Sequence, residues 1–315
     1  MTISGFTFIK NATKLYIPLK ESICSILPIC DEFIIAIGDN DPDDKTDELV
    51  ASIKSDKIKI IRTVWDTEAF PKNTEFARQT DLAKAECTGD WLFYIQADEA
   101  IHENKLDLIQ SSCEKYLKDK RVDGFLFNYL HFWGNYERYH FSHSWYKKEI
   151  RIIRNEKDIH SWKDAQSFRR FIKWEGTFED YQKTEDTQKL NVVQLDAHVF
   201  HYGYVRPPML MTEKRKVNSR SYHGKLTKLI ESLDDVYDYG NLSRLRKFTA
   251  THPAVMKDWI SKFDWEHQLR YVDQKTNRDQ FKHERLKYRL ISWIENNLFG
   301  GKVIGGFENY EVVDG

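Results

Sequence analysis

The chain has 315 residues, enough for one large domain or two smaller ones, and 41% of them are hydrophobic and 31% charged. This composition excludes a disordered chain. The formal net charge is −1, so the overall charge gives no reason to expect nucleic acid or anionic membrane as a partner.

The N-terminus lacks the basic and apolar regions of a secretion signal, and no window approaches 18 consecutive apolar residues. We therefore expect no transmembrane segment, although peripheral membrane contact stays open. The four cysteines lack C-x-x-C spacing and lie in or beside apolar stretches. They are interpreted as reduced, buried thiols, which suits a cytoplasmic protein.

Strand and helix patterns alternate over the first 130 residues. The predicted strands are Ile3–Ile9, Glu32–Ile37, Lys57–Val64, Trp91–Ile95 and Gly124–Tyr129. The predicted helices are Thr13–Leu27, Asp47–Ser55, Asn73–Cys87 and Asn104–Lys118. Short connections of this kind predict βαβ units, and hence an α/β fold with a mostly parallel sheet flanked by helices. The glycine fingerprints of a dinucleotide site and of a P-loop are both absent.

The pattern changes after Leu130. Residues 130–146 are crowded with Trp, Tyr and His, Glu149–Arg154 and Val192–Phe200 read as strands, and His160–Trp174 reads as irregular. Pro207–Pro208 is a natural boundary. We therefore predict a catalytic domain over residues 1–206 and a mainly helical extension over 207–315. The helices expected in the extension are Met209–Ser221, Leu226–Leu233, Ala254–Lys262 and Phe281–Leu298.

The most informative stretch is Gly89–Glu99, with the sequence G-D-W-L-F-Y-I-Q-A-D-E. An apolar run typical of a strand buried on both faces ends there at a polar and acidic tip. In an open α/β sheet the ligand crevice lies beyond the carboxyl ends of the strands. Asp98 therefore shares a predicted cleft with Asn11 and Asp39, which follow the first and second strands. The alternative is an ordinary strand that ends in a solvated acidic turn.

Four segments carry a resemblance to a known family. They are F-T-F-I-K-N-A near the N-terminus, C-D-E-F-I-I-A-I-G-D-N, the helical F-A-R-Q-T, and G-D-W-L-F-Y-I-Q-A-D-E. In this order and spacing they resemble a family 2 type glycosyltransferase with the GT-A fold. The resemblance covers about the first 130 residues well and the remainder loosely.

The resemblance implies a role for several residues at the strand tips. Phe8 and Asn11 would line the nucleotide pocket, and Asp39 would contact the base or the ribose. Arg78 would approach the base or the diphosphate. Asp98 would be the retained acid of the D-x-D motif, which holds Mg²⁺ or Mn²⁺ against the leaving diphosphate.

The chain departs from that motif at Gln96, which replaces the first acid. Its amide carbonyl can still accept a hydrogen bond from a ribose hydroxyl or from water, so it is kept as a substrate-binding candidate. The loss of charge either weakens metal binding or moves ligation to Glu99 or a later residue.

A second informative segment is Asp196–Arg206. His198 and His201 would share a face on a helix, but the Val and Phe content favours a strand, which places them on opposite faces. A two-histidine site is therefore not expected. His201 is our candidate for a further metal ligand, with a hydrogen-bonded turn histidine as the alternative. Arg206 would bind the diphosphate or is a plain surface arginine.

The candidate for the catalytic base is Asp164, because it lies among polar and aromatic residues in an irregular segment. Glu175 and the pair Glu179–Asp180 are competitors, and a solvated loop acid is the simpler alternative. The basic helix Lys214–Arg220 is interpreted as a solvated face, with contact to a phosphate-bearing or anionic acceptor as the alternative.

These observations lead to one main hypothesis and two alternatives. The main hypothesis is an inverting, metal-assisted glycosyltransferase. It moves a sugar from a nucleoside-diphosphate sugar to the hydroxyl of a glycan, a lipid-linked acceptor or another molecule, as in bacterial surface glycan synthesis. A nucleotidyltransferase that forms sugar nucleotides is one alternative, although residues 8–20 lack the glycines of a triphosphate loop. The other is a catalytically inactive nucleotide-sugar-binding protein on the same fold, favoured by Gln96.

Overall fold

A computed structural model describes residues 1–223, 236–274, 278–300, 303–305 and 308–313, with 218–223 described by their backbone alone. The strands are β1 Ile3–Ile9, β2 Glu32–Ile37, β3 Ile58–Arg62, β4 Trp91–Tyr94, β5 Glu99–Ile101, β6 Gly124–Trp133, β7 Asn135–His140, β8 Lys148–Arg154, β9 Ile159–Trp162, β10 Ser167–Phe171, β11 Thr187–Gln188, β12 Leu190–Tyr204, β13 Arg246–Lys247 and β14 Tyr310–Val312. The α-helices are α1 Leu19–Ile26, α2 Thr46–Ala51, α3 Thr74–Ala85, α4 Leu106–Tyr116, α5 Phe178–Gln182, α6 Pro208–His223, α7 Lys257–Ile260 and α8 Leu286–Leu298.

One large sheet organises these elements, in the order β13-β7-β6-β8-β4-β1-β2-β3. Strands β4, β1, β2 and β3 are parallel, and β12 adds a further parallel pairing with β6. The predicted α/β fold class, a mostly parallel sheet with flanking helices, is confirmed. The sheet becomes mixed where β8 lies between β4 and β6, antiparallel to both.

The central strands are buried on both faces, as their apolar runs predict. Alternate residues of β2 enter two separate core layers: Phe33 and Ile35 pack with α1 and α4 on one face, and Ile34 packs on the face that carries α3. The two-residue repeat of a strand thus divides one continuous apolar run between two cores. All four cysteines are free, and three of them are buried.

The first predicted helix begins later than expected. Residues 13–18 were assigned to it, but Asn11 and Tyr16 adopt positive φ angles of 57° and 51° and the helix starts at Leu19, directly after Pro18. A left-handed residue cannot continue a right-handed helix, so the chain turns before α1 begins. This turn keeps Asn11 at the end of β1.

The segment 160–174 is not irregular as predicted. It contains the antiparallel pair β9 and β10, in which Trp162 lies opposite Ser167. The tight connection uses two left-handed residues, Lys163 at 57° and Ala165 at 61°. Because neither is glycine or asparagine, the sequence carries no ordinary turn signal here.

Where the structure describes the range 207–315, less of the chain is α-helical than predicted. Helix α6 matches the first expected helix, α7 and α8 cover only parts of two others, and the predicted helix 226–233 lies outside the described residues. Trp259 and Trp265 from this region pack with Phe132 and Tyr202 of the large sheet. The division at residue 206 stays a prediction. Across the described ranges, the helices are too short or too polar to traverse a bilayer.

Candidate active site

A large cavity opens beyond the carboxyl ends of β1 and β4. Its volume is about 1120 Å³, which is enough for a ligand as large as a sugar nucleotide. Six of the residues proposed from the sequence line it: Phe8, Asn11, Gln96, Asp98, Asp164 and His201. They come from four separate stretches of chain and are brought together by the parallel strand tips, the β9–β10 hairpin and β12.

Asp98 places a carboxylate on the cavity wall between two nitrogen-bearing side chains. Its Oδ2 atom lies 3.0 Å from the Lys214 ammonium, and its Oδ1 atom lies 3.7 Å from Nε2 of His201. Burial raises the pKa of the carboxyl, but the positive charges of Lys214 and Arg206 outweigh burial and hold the pKa well below its usual range. Asp98 therefore remains a carboxylate at neutral pH.

Lys214 reaches this carboxylate from the second turn of α6. Its ammonium donates hydrogen bonds of 3.0 Å to Asp98 and to the carbonyl of Gly203. Burial, together with the charge of Arg206, lowers the pKa of Lys214 to about 8. The interpretation of this lysine as part of a solvated face is wrong, and its main sequence signal is its place in the second turn of the helix that follows the strand carrying His201. The side chains of 218–220 lie outside the described residues.

Gly203 keeps the space in front of Asp98 and His201 open. A β-carbon at this position would lie 2.6 Å from His201 Nε2 and 2.7 Å from Asp98 Oδ2. Any larger residue would therefore fill the volume that both donor atoms face. The glycine is required here by space rather than by backbone conformation.

His201 is positioned by sheet register. It lies directly opposite His131 across the parallel pair β12 and β6, so the two side chains share one face. Their Nδ1 atoms are 3.0 Å apart, and His131 Nε2 lies 2.8 Å from the Tyr146 carbonyl oxygen. The predicted strand geometry is confirmed, and His198, three residues earlier, does not line the cavity among the described residues.

An aromatic cluster forms another part of the wall. The ring centroids of Phe8 and Phe76 are 5.7 Å apart and those of Phe8 and Trp65 are 5.9 Å apart. The Lys10 ammonium lies 5.6 Å from the Trp65 ring centroid. Flat aromatic faces beside a cation suit a nucleobase or a sugar ring.

Asp39 supports this cluster from outside the cavity. Its carboxylate accepts a 2.7 Å hydrogen bond from Lys10 Nζ and a 3.0 Å bond from the Trp65 backbone N–H. Asn11 lines the cavity but uses its side-chain oxygen to accept from the Asp41 N–H at 2.7 Å. The predicted common cleft is thus formed by Asn11 and Asp98, whereas Asp39 orients two of its wall residues.

Gln96 and Glu99 have structural partners. The Gln96 amide donates to the Ala165 carbonyl at 3.2 Å, which ties the tip of β4 to the β9–β10 hairpin. Glu99 is fully buried and binds the Arg151 guanidinium through two hydrogen bonds of 2.9 Å, with a third from Tyr129 at 2.8 Å. Its oxygens are therefore occupied, and Glu99 does not replace the missing first acid.

Asp164 projects from the tip of the β9–β10 hairpin into the cavity, between the two left-handed residues Lys163 and Ala165. Among the described residues its carboxylate forms no ion pair. The residue is exposed to the open cavity, and partial desolvation by the cavity wall raises its pKa above the ordinary aspartate value. Strained backbone of this kind recurs where a reactive side chain must be held in place.

The competing acids lie elsewhere. Asp180 caps α5 by accepting hydrogen bonds from the backbone N–H groups of Glu175 and Thr177, and it pairs with Lys183. Glu175 and Glu179 are exposed and do not line the cavity within the described chain. Of the acids considered from the sequence for the base, Asp164 alone faces the cavity.

Two predicted arginine contacts are not formed by the described cavity wall. Arg78 binds Glu75 and the Val64 carbonyl and lies 5.1 Å from the Phe70 ring centroid. Arg206 is fully buried and donates to the Leu15 carbonyl at 2.7 Å. Neither is among the residues that line the described cavity. The buried Arg206 cannot touch a ligand directly from this position, and the contact of Arg78 with the base or the diphosphate stays a prediction. Arg206 instead acts on Asp98 through its charge.

No protein-family model and no curated protein matches the sequence. Parts of the fold overlap with solved structures. TarS from S. aureus superposes with a TM-score of 0.37 at 10% identity, over 75% of this chain and 41% of that chain. A TarS fragment, residues 1–349, in complex with UDP-GlcNAc gives a TM-score of 0.37 at 12% identity, over 75% and 68%. This chain therefore spans less than half of the length of the full TarS chain.

A second partial overlap is with glucosyl-3-phosphoglycerate synthase from Mycobacterium tuberculosis, solved with Mn²⁺, UDP and phosphoglyceric acid. Its TM-score is 0.28 at 17% identity, over 41% of this chain and 43% of that chain. TM-scores of this size describe partial overlap of architecture. They assign this chain to no family.

Proposed function

We propose that the protein is a glycosyltransferase that moves a sugar from a nucleoside-diphosphate sugar to an acceptor hydroxyl. The observation that carries the proposal is the chemistry gathered in one cavity. A charged carboxylate, Asp98, lies between the Lys214 ammonium and the His201 imidazole. It shares this cavity with an aromatic wall and with an unpaired carboxylate, Asp164. These are the groups that a diphosphate, a nucleoside and an activated hydroxyl each require.

The residues divide into a donor side and an acceptor side. Phe8 and Trp65 offer apolar faces to the nucleoside. The Lys214 ammonium offers hydrogen bonds and positive charge to the diphosphate. Asp164, on the separate hairpin, is assigned to the acceptor hydroxyl.

The donor atoms around Gly203 fit a divalent cation. A carboxylate oxygen of Asp98 and the imidazole Nε2 of His201 face a space that a single β-carbon would occupy, and Mn²⁺ or Mg²⁺ bound to phosphates needs few protein ligands. No cluster of three or more His, Cys, Asp or Glu residues suited to a metal occurs in the described ranges, so this pair would be shared with substrate oxygens. When bound, the cation would neutralise charge on the leaving diphosphate.

The proposed reaction needs one proton transfer by the chain. The acceptor oxygen forms a bond to the anomeric carbon as the bond from that carbon to the diphosphate oxygen breaks, and the diphosphate leaves with the electron pair. Asp164 accepts the hydroxyl proton. A base on the opposite side of the sugar from the leaving group gives inversion. The raised pKa of Asp164 brings it closer to that of an effective base at neutral pH.

The first experiment identifies the donor. A thermal-shift screen of UDP, GDP and dTDP and their sugars, with and without Mn²⁺, should show stabilisation by one nucleotide series. Transfer is then followed by release of the nucleoside diphosphate. Absence of stabilisation by every nucleotide would contradict the proposal.

The second experiment tests the site. Asp98→Ala should lower both nucleotide affinity and transfer, the latter roughly 10²–10³-fold, in a protein that remains folded. Asp196→Ala is the matched control, because Asp196 is exposed and pairs only with Lys105 on the surface. Unchanged transfer in Asp98→Ala would overturn the assignment.

A catalytically inactive binding protein is the second candidate. Two contacts favour it: the first acid of the motif is replaced by Gln96, whose amide is bound to a backbone carbonyl, and Lys214 already neutralises Asp98. Calorimetric binding of a nucleotide sugar with neither transfer nor hydrolysis would support this candidate. Release of pyrophosphate from a nucleoside triphosphate would instead support a nucleotidyltransferase.

A further inference from the structure

Two buried histidines, His131 and His201, connect a backbone carbonyl to the cavity. His131 is 1% exposed and His201 is 7% exposed. The chain of contacts runs from the Tyr146 carbonyl oxygen to His131 Nε2 at 2.8 Å and from His131 Nδ1 to His201 Nδ1 at 3.0 Å. It ends at His201 Nε2, which lies 3.7 Å from Asp98 Oδ1.

The carbonyl fixes the direction of every hydrogen bond in this chain. A carbonyl oxygen only accepts, so His131 must donate its Nε2–H to Tyr146. His131 is 1% exposed and forms no ion pair among the described residues, so the buried ring is neutral and its Nδ1 carries a lone pair. His201 must then donate its Nδ1–H to that lone pair.

The last step leaves His201 Nε2 without a hydrogen. Its lone pair faces the Asp98 carboxylate, whose Oδ1 atom lies 3.7 Å away, and Gly203 puts no side chain beside the two groups. Two electron donors that face one another favour a cation between them. The opposite tautomer would point an N–H into the same space and would exclude a metal ion.

We propose that His131 is a positioning residue that holds His201 in the tautomer able to ligate a divalent cation beside Asp98. The cation itself rests on the proposed function, whereas the tautomer is a property of the protein alone. A partner that orients a ligating histidine through its other ring nitrogen typically changes metal affinity 10–100-fold when it is removed. His131 touches neither substrate nor metal in this arrangement.

The first test reads the tautomer directly. The full chain is labelled with ¹⁵N-histidine, and long-range ¹H–¹⁵N spectra are recorded at pH 8 without metal, with the resonances assigned from His131→Asn and His201→Gln. We expect the pyridine-type nitrogen of His201 to be Nε2 and that of His131 to be Nδ1. The reverse assignment at His201 overturns the proposal.

The second test measures Mn²⁺ affinity by the loss of the free-ion electron paramagnetic resonance signal, with and without UDP. His131→Leu removes the acceptor and should weaken Mn²⁺ binding roughly 10–100-fold and release His201 to mix its tautomers. His131→Asn keeps an acceptor oxygen near the Nδ1 position and should recover most of the affinity. Equal affinity in wild type and His131→Leu overturns the proposal.

His252→Leu is the matched control for packing. His252 also bridges a backbone carbonyl and a side chain, that of Tyr136 at 2.9 Å and the hydroxyl of Tyr202 at 2.8 Å, but it does not contact the Asp98 site. This variant should lose stability and keep both the Mn²⁺ affinity and the His201 spectrum. A comparable loss of affinity in His252→Leu would assign the His131 effect to packing and overturn the proposal.

The outcomes separate this proposal from the proposed function. Mn²⁺ binding with the expected tautomer and no glycosyl transfer supports the positioning role and contradicts the transferase. Glycosyl transfer with the reverse tautomer of His201 supports the transferase and contradicts the positioning role of His131. A wild-type protein that binds no Mn²⁺ with or without UDP overturns the metal-positioning role whatever its tautomer, and leaves transfer to be measured without metal.

Discussion

Two neighbouring carboxylates, one in the cavity wall and one in the buried layer beneath it, differ in how many of their oxygen contacts are already filled by the protein. Asp98 faces a space that is kept empty, with a lysine on one oxygen and a bare imidazole nitrogen near the other. Glu99, the next residue, is fully buried and saturated by Arg151 and Tyr129. The contrast shows that a carboxylate becomes available to a ligand when its surroundings leave part of its coordination unfilled, not because it is charged.

The same contrast separates Asp164 from Glu149. Asp164 stands at a strained hairpin tip in the cavity wall. Glu149 is 4% exposed and accepts a 2.6 Å hydrogen bond from Gln166, which itself lines the cavity. Asp164 is therefore placed to contact a substrate, whereas Glu149 is buried behind the cavity wall.

The largest expected effect is the loss of activity when Asp164 is replaced. Asp164→Asn should lower kcat about 10²–10⁴-fold by removing the base, with little change in donor affinity or melting temperature. The acidic limb of the wild-type pH profile should lie above the ordinary aspartate pKa, in line with the raised pKa of Asp164. Steady-state kinetics against pH measure both.

Glu175→Gln serves as the control for that variant, since Glu175 is exposed and outside the described cavity wall. Full activity in Asp164→Asn would remove Asp164 from the mechanism and weaken the comparison with Glu149.

Replacing Glu99, whose oxygens are already hydrogen-bonded, should lower stability instead of activity. Glu99→Gln leaves the Arg151 guanidinium buried without its counter-charge, and breaking such a pair typically costs about 3–5 kcal/mol in the free energy of unfolding. Arg151 also lies between the Tyr94 and Tyr129 rings, with its guanidinium carbon 5.3 and 5.2 Å from their centroids. Urea unfolding measures the change, and a loss below 1 kcal/mol would contradict the structural role.

Glu149 provides a pH-dependent test of the same layer. Burial raises its pKa from 4.5 to about 7, so the folded state holds the proton more tightly than the unfolded state. Stability should therefore fall as the pH rises from 4.5 through 7 and should be lowest above that range. Glu149→Gln should be more stable than wild type at pH 8, by on the order of 3 kcal/mol, with most of the difference gone at pH 5.

Urea unfolding curves of wild type and Glu149→Gln at pH 5 and pH 8 measure this difference in stability. Glu114→Gln, an exposed change on α4, should show no such dependence. A Glu149→Gln variant that is less stable than wild type at pH 8 would show that the charged form is stabilised in the fold.

The smallest expected effect is on Mn²⁺ affinity, when a side chain is added at Gly203. Gly203→Ala should weaken Mn²⁺ binding about 10²-fold, or about 2.7 kcal/mol, because the new β-carbon would lie within 2.7 Å of both donor atoms. The backbone accepts alanine, so the protein should remain folded. Unaltered Mn²⁺ affinity would show that a cation does not bind between Asp98 and His201.

Much of the fold follows from local patterns. Apolar runs of four to seven residues predict the central strands, and their alternation decides which side chains enter each of the two core layers. The polar residues that end β1 and β4 predict the position of the cavity, because parallel strands deliver their carboxyl ends to one edge. The β9–β10 hairpin was missed, since Lys163 and Ala165 turn the chain without a glycine.

The candidate site could be predicted only in part, because it is formed by contacts between segments that are far apart in the sequence. The sequence by itself determined which strand tips carry Asn11, Gln96 and Asp98, because that depends on neighbours in the chain. Only the tertiary structure decided that Asp98 faces a cavity while Glu99 is buried, that Lys214 reaches back from α6, and that register places His131 opposite His201. Those outcomes depend on which distant groups fill the space around each charge, and no local pattern encodes that.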